Sequence, residues 1–166
     1  MTNVTTVIME VWTMDLSTLE SLEQIKQLKA RYFRFVDTKR WKEWGELFTE
    51  DVTAEYYNEP RDRPNEGLPE LKCIGRTNLV EAASRALSTG ISVHQGYMPE
   101  IEITSPTPAR GIWAMFDYLR FPTFIFKGYG HYEEEYVKEV GGWKIKRVLL
   151  TRLHCDIQRV NSANTK

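Results

Sequence analysis

Cysteine and net charge are both scarce in this chain, and each scarcity excludes something. Only two cysteines, Cys73 and Cys155, occur in 166 residues. They are too few for a disulfide framework and lack metal-ligand spacing, so they read as reduced core thiols. The 22 basic and 23 acidic residues nearly cancel, leaving a net charge of -1. With no basic footprint, nucleic acid is not an expected partner. Long hydrophobic runs are missing too. The apolar start from Val7 to Trp12 is short, is interrupted by Glu10 and has no basic flank. Neither a signal peptide nor a membrane span is expected, and a cytoplasmic protein follows. No metal, nucleotide or flavin motif is present, so no metal and no cofactor is expected.

Aromatic residues, by contrast, are plentiful: five Trp, eight Tyr and seven Phe. That richness suits a protein that walls an apolar pocket or a wide interface. The length fits one domain with a real core. Residues 1–16 read as an arm, 17–157 as the domain and 158–166 as a frayed tail. Ser17-Thr18-Leu19-Glu20 has the capping-box pattern of a helix start. Leu19, Leu22, Ile25, Leu28, Tyr32 and Phe35 then recur at helical spacing, and Asp37 ends the helix. Trp41, Trp44, Leu47 and Phe48 repeat that spacing in a shorter helix, broken at 49–51. Val52 to Tyr57 alternates as a strand, and 60–70 is a charged loop with three prolines. Gly75 to Leu79 opens a third helix, with Leu79, Ala82, Ala83, Ala86 and Leu87 inward and Gly90 as its cap. Only strands follow, including Phe124 to Glu139 and Trp143 to Asp156 about the Gly141-Gly142 turn.

One hairpin organises the rest. Ser92 to Ile103 and Ala109 to Leu119 are rich in β-branched and aromatic residues and flank a turn with two prolines. A turn centred near Pro106 aligns positions whose numbers sum to roughly 212, which lays His94 near Asp117. An imidazole beside a carboxylate has one nitrogen fixed as donor and the other free as a base. The alternation of Ile101 and Ile103 puts His94 on the wrong face unless a bulge at Gly96 or Pro99 intervenes. Both faces of Ile112 to Leu119 are apolar, so the side away from the helices is expected to meet another subunit, as a homo-dimer or trimer.

This order of elements resembles the nuclear transport factor 2-like superfamily in its SnoaL-like branch. The resemblance is carried by Arg31-Tyr32-Phe33-Arg34 with Asp37 and Trp41, by His94 to Ile101, by Trp113 to Asp117, and by Gly142-Trp143 with Arg152. Within the branch, residue types and order are most similar to the bacterial bile acid 7-alpha-dehydratases. The resemblance implies an α+β cone, three N-terminal helices on a strongly curved antiparallel sheet. It also implies pocket positions for Tyr32, Asp37, Tyr56 and Arg152, and a histidine–aspartate pair at His94 and Asp117.

The chemistry that follows is proton abstraction next to a carbonyl or enone by His94 and Asp117 with tyrosine assistance. The expected partner is a small apolar substrate, polycyclic or terpenoid-like. Asp37 reads as holder of a water or a second proton carrier, and Trp113 as part of the pocket wall. Arg152 reads either as a clamp for a substrate anion or as the neutraliser of Asp37 or Asp117. His131 reads as pocket wall or surface strand residue, and His154 as structural. A non-catalytic small subunit and a ligand carrier of the same fold compete with the dehydratase or isomerase reading.

Overall fold

The structure is a computed structural model that describes residues 15–60 and 71–160. The expected arm up to residue 14, the proline-rich loop at 61–70 and the tail from residue 161 lie outside the described residues, while residues 158 and 159 of the expected tail belong to the last strand.

Helix α1 (Leu16–Asp37) begins earlier than the capping-box pattern suggested. Asp15 is its N-cap, and the Asp15 carboxylate accepts the Ser17 N–H at 3.2 Å. An anionic cap also complements the helix dipole, an advantage a neutral serine lacks. Ile25, Leu28, Tyr32, Phe35 and Val36 are buried along one stripe, whereas Leu19 is exposed. Helix α2 (Trp41–Gly45) is short, and strand β1 (Phe48–Pro60) starts at Phe48, within the expected helix. Leu47 and Phe48 have helical spacing from Trp44, but parallel pairing of Phe48 with Ile145 and burial of Phe48, Val52 and Ala54 decide for the strand.

A short strand that the sequence did not reveal, β2 (Leu71–Ile74), pairs antiparallel with β1 and leads into α3 (Arg76–Ala86). Leu79 is the buried residue of α3, and Leu87, not Gly90, is its C-cap. Four long strands complete the fold: β3 (Ile91–Ile103), β4 (Pro108–Arg120), β5 (Phe124–Glu139) and β6 (Gly142–Arg159). Gly141 and Gly142 both have positive φ, which the tight β5–β6 turn requires.

The strands form one six-stranded sheet in the order β2-β1-β6-β5-β4-β3. Because β1 runs parallel to β6, the sheet is mixed rather than wholly antiparallel. With its three helices at the N-terminus, this is the expected α+β arrangement. Residues with zero exposure, such as Ile25, Val52, Leu79 and Ile145, form the core; each such side chain contributes about 1.5–3 kcal/mol.

The β3–β4 register lies one residue from the expected alignment between Ile91 and Tyr97, and falls on it from Glu100 onward. The change is a bulge at Met98 and Pro99, where Met98 adopts a φ of 37° and is exposed. The extra residue brings His94, Ile101 and Ile103 onto one face.

Candidate active site

The end of α1 reaches β3 and fixes the histidine. Asp37 Oδ2 accepts the backbone N–H of His94 at 2.8 Å, and Oδ1 lies 2.6 Å from His94 Nδ1. A carboxylate has no proton to give, so Nδ1 is the donor and Nε2 carries the free lone pair. Nε2 has no hydrogen-bond partner among the described residues, and His94 lines a cavity of about 320 Å³.

Asp117 faces His94 across the ladder, as the hairpin implied. Its carboxylate, however, belongs to Arg152: Nη1 and Nη2 donate to its two oxygens at 3.0 and 2.7 Å. The expected His94–Asp117 dyad is therefore corrected to His94–Asp37. The reason is geometric, because a bidentate guanidinium occupies both Asp117 oxygens while Asp37 meets the imidazole from the helix. Of the alternatives for Arg152, the ion pair with Asp117 is present; the guanidinium face lies 4.9 Å from the Phe126 ring, and Nε has no hydrogen-bond partner among the described residues. Gly128 leaves room for this pair, since a Cβ there would overlap both Arg152 and Asp117.

Tyr32 and Tyr56 reach the same cavity, their hydroxyls 3.5 Å apart. Burial raises both phenols above their ordinary range, so both keep their protons. Exposure grades the walls. Tyr32, Asp117, Tyr132 and Arg152 are buried, whereas Leu87, Phe121 and Phe124 are only partly so and Ala86 is exposed. The buried part of the wall thus sets these polar groups among Val36, Trp44, Phe126 and Leu150, and the rim is mostly apolar.

Two expected wall residues lie elsewhere. Trp113 shares the inner face of the sheet but is not part of the cavity wall; its Nε1–H donates to the Tyr136 hydroxyl at 2.8 Å. His131 alternates with the inward Gly130 and Tyr132, so it faces the opposite side, paired in register with Ala114 and Thr151. His154 lies on that outer side, 3.1 Å from Asp156.

Sequence reasoning missed Tyr132 and a buried ion pair. Lys29 Nζ lies 2.5 Å from Glu134 Oε1 with both side chains fully buried. The Tyr136 hydroxyl donates to the other Glu134 oxygen at 2.5 Å. The available signal was the period-two run Gly128, Gly130, Tyr132, Glu134, Tyr136, which shares the face of Asp117. Among the described residues no group of three or more His, Cys, Asp or Glu is placed to hold a metal ion. No described helix is long and apolar enough to cross a membrane.

This fold and this cavity define an α+β protein with an acid–imidazole pair in an apolar pocket. The model of the SnoaL-like domain matches residues 17–148, and the chain belongs to that family, within the nuclear transport factor 2-like superfamily. Among solved structures it is similar to a proposed scytalone dehydratase of Novosphingobium aromaticivorans, with 22% identity and a TM-score of 0.74 over 89% of this chain and 94% of that one. It is also similar to a type 2 hexachlorocyclohexane dehydrochlorinase, with 16% identity and a TM-score of 0.73 over 92% and 97%. A third similar structure is a proposed aromatic ring hydroxylase of N. aromaticivorans, with 18% identity and a TM-score of 0.70 over 86% and 94%. At these identities the likeness establishes the fold.

Proposed function

We propose that the protein is a cofactor-independent dehydratase or isomerase acting on an uncharged, apolar ring compound that carries a carbonyl or enone. The observation that carries this reading is His94, held through Nδ1 by Asp37, with Nε2 unpartnered at the wall of the cavity. Nε2 takes the proton from carbon next to the carbonyl, and the C–H electron pair passes into an enolate. A tyrosine hydroxyl, from Tyr32 or Tyr56, stabilises the enolate oxygen. As the enolate collapses, the C–O bond at the β position breaks, and the imidazolium returns its proton to the departing hydroxyl, giving water. Isomerisation would use the same base, with the proton returned to a different carbon.

The neutrality of the substrate follows from the charges. Arg152 is the cation of the described cavity wall, and both its Nη atoms are engaged by Asp117. Its Nε–H has no partner among the described residues, but its charge is already balanced by Asp117, so a substrate carboxylate would meet no uncompensated cation there. The dehydratase and dehydrochlorinase names of the similar structures support elimination chemistry, in line with the resemblance to bile acid 7-alpha-dehydratases read from the sequence. A purely structural subunit would have no reason to keep an open cavity with His94, Tyr32 and Tyr56 converging on it. A ligand carrier would bind without turnover, and the test separates the two. Incubation with 3-hydroxycyclohexanone and its benzo-fused homologue should yield the conjugated product, read by absorbance, in the wild type and not in His94→Ala. Binding without turnover in both would leave the carrier.

The outer face supports a second copy of the chain as partner, in a dimer or trimer. Gln95, Phe116, Tyr129 and His154 form one row across four strands, with ring centroids 5.0 Å apart for Phe116–Tyr129 and 5.8 Å for Tyr129–His154. Ile112 and Tyr129 remain partly exposed there, and an aromatic stripe of this kind suits burial between subunits.

A further inference from the structure

Tyr132 is a buried phenol for which the proposed chemistry has so far found no use. It stands on β5 with 1% of its surface exposed, and it lines the same cavity as His94. The Lys29 ammonium lies 3.6 Å from its ring centroid, and the rings of Tyr32 and Phe33 pack at 5.9 and 6.0 Å. Lys29 is itself fixed by Glu134 and also lies 4.1 Å from the Tyr32 ring. One buried ion pair therefore stands behind both phenols and holds them in place.

The hydroxyl of Tyr132 has a different situation from its ring. Asp117, Tyr56 and Arg152 act on it electrostatically, so it lies among the polar groups of the cavity wall. Yet it makes no hydrogen bond to any described residue. The neighbouring acceptors are engaged: both Asp117 oxygens accept from Arg152, the Tyr56 hydroxyl faces Tyr32, and Glu134 accepts from Lys29 and Tyr136. The hydroxyl is not among the fully enclosed polar atoms that lack a partner, so it opens to the cavity, where an occupant can accept its hydrogen bond. Burial raises this phenol above its ordinary range, so its proton is present at any working pH.

We propose that Tyr132 is a further catalytic residue, donating a hydrogen bond to the substrate oxygen on which negative charge develops, with Lys29 and Glu134 as its positioning residues. This rests on the reading of the cavity as a carbonyl site and adds to it a donor whose hydroxyl is not shared with another tyrosine. Tyr32 and Tyr56 face one another, whereas Tyr132 is committed to the occupant of the cavity.

The test uses the full chain and two probes: 4-nitrophenol, at a pH where the free probe is the phenolate, and its methyl ether, 4-nitroanisole. Tyr132→Phe removes a hydroxyl that supports no other protein group, so the fold is retained. Binding of the phenolate should weaken by about tenfold to a hundredfold, the range expected for a hydrogen bond to a charged group. Binding of the ether should change by less than about twofold, because a neutral ether oxygen is a weaker acceptor. Equal weakening of both probes would show a packing role and overturn the proposal, as would unchanged binding of the phenolate. If the wild type bound the ether alone, or neither probe, the carbonyl-site reading would fall and this proposal with it.

Discussion

His94 Nδ1 lies 2.6 Å from a carboxylate oxygen of Asp37, 57 residues away on the end of α1, while Asp117, its direct neighbour across the ladder, is held by Arg152. The two acids therefore have separable duties. Asp37→Asn should keep the fold and lower turnover by about a hundredfold or more, because an amide no longer enforces the reactive tautomer. Asp117→Asn should act on stability. It strands a buried guanidinium, which costs about 3–5 kcal/mol. Denaturant melts of the two variants, set beside their rates, check the division.

Lys29 and Glu134 form a pair with no exposed surface. Lys29→Met leaves Glu134 as an unpaired buried charge and should destabilise the protein by about 3–5 kcal/mol. The double variant Lys29→Met with Glu134→Gln removes both charges and should recover much of that loss. A double-mutant cycle by urea unfolding reads the coupling. Strict additivity would mean that the two groups do not interact.

Tyr32, Tyr56, Tyr132 and Tyr136 all have their ionisation raised by burial from an ordinary value of 10.0. The folded state thus keeps protons that the unfolded chain releases above that pH. Stability is unaffected by these groups below about pH 10 and falls as pH rises beyond it, by about 1.4 kcal/mol per pH unit for each tyrosine. In an alkaline titration followed by tyrosine absorbance, at least four of the eight tyrosines should ionise only with unfolding.

The outer face supplies a simple assembly test. Tyr129→Glu places a charge in the centre of the Phe116–Tyr129–His154 row. Light scattering after size-exclusion chromatography should show the wild-type oligomer and a monomeric variant with an unchanged circular dichroism spectrum. A monomeric wild type would remove the second copy as partner.

Much of the fold was legible because period-two alternation and turn residues are local signals. The β3–β4 and β5–β6 hairpins, the pairing of His94 with Asp117 in register, and the need for a bulge could all be read from β-branched runs, prolines and glycines. Boundaries failed where two periods fit the same residues. Trp44, Leu47 and Phe48 satisfy a helical spacing, and only pairing with β6, nearly a hundred residues on, makes Phe48 a strand residue. The site was legible at the level of which residues share a face and not at the level of which side chains bond. The proximity of Asp37 to His94 depends on how α1 crosses the sheet. Lys29 was hidden because a lysine on an apolar stripe ordinarily extends to solvent, whereas the inward Glu134 and the rings of Tyr32, Phe33 and Tyr132 keep it inside.

The most direct measurement is deuterium wash-in from heavy water at the carbon next to the carbonyl of a bound cyclic ketone, followed by NMR for the wild type and His94→Ala. Exchange reads proton removal alone, whether dehydration or isomerisation follows. The account predicts exchange in the wild type and a loss of about a hundredfold to ten-thousandfold in the variant, the share a positioned base contributes. Equal exchange rates in the two proteins would contradict it.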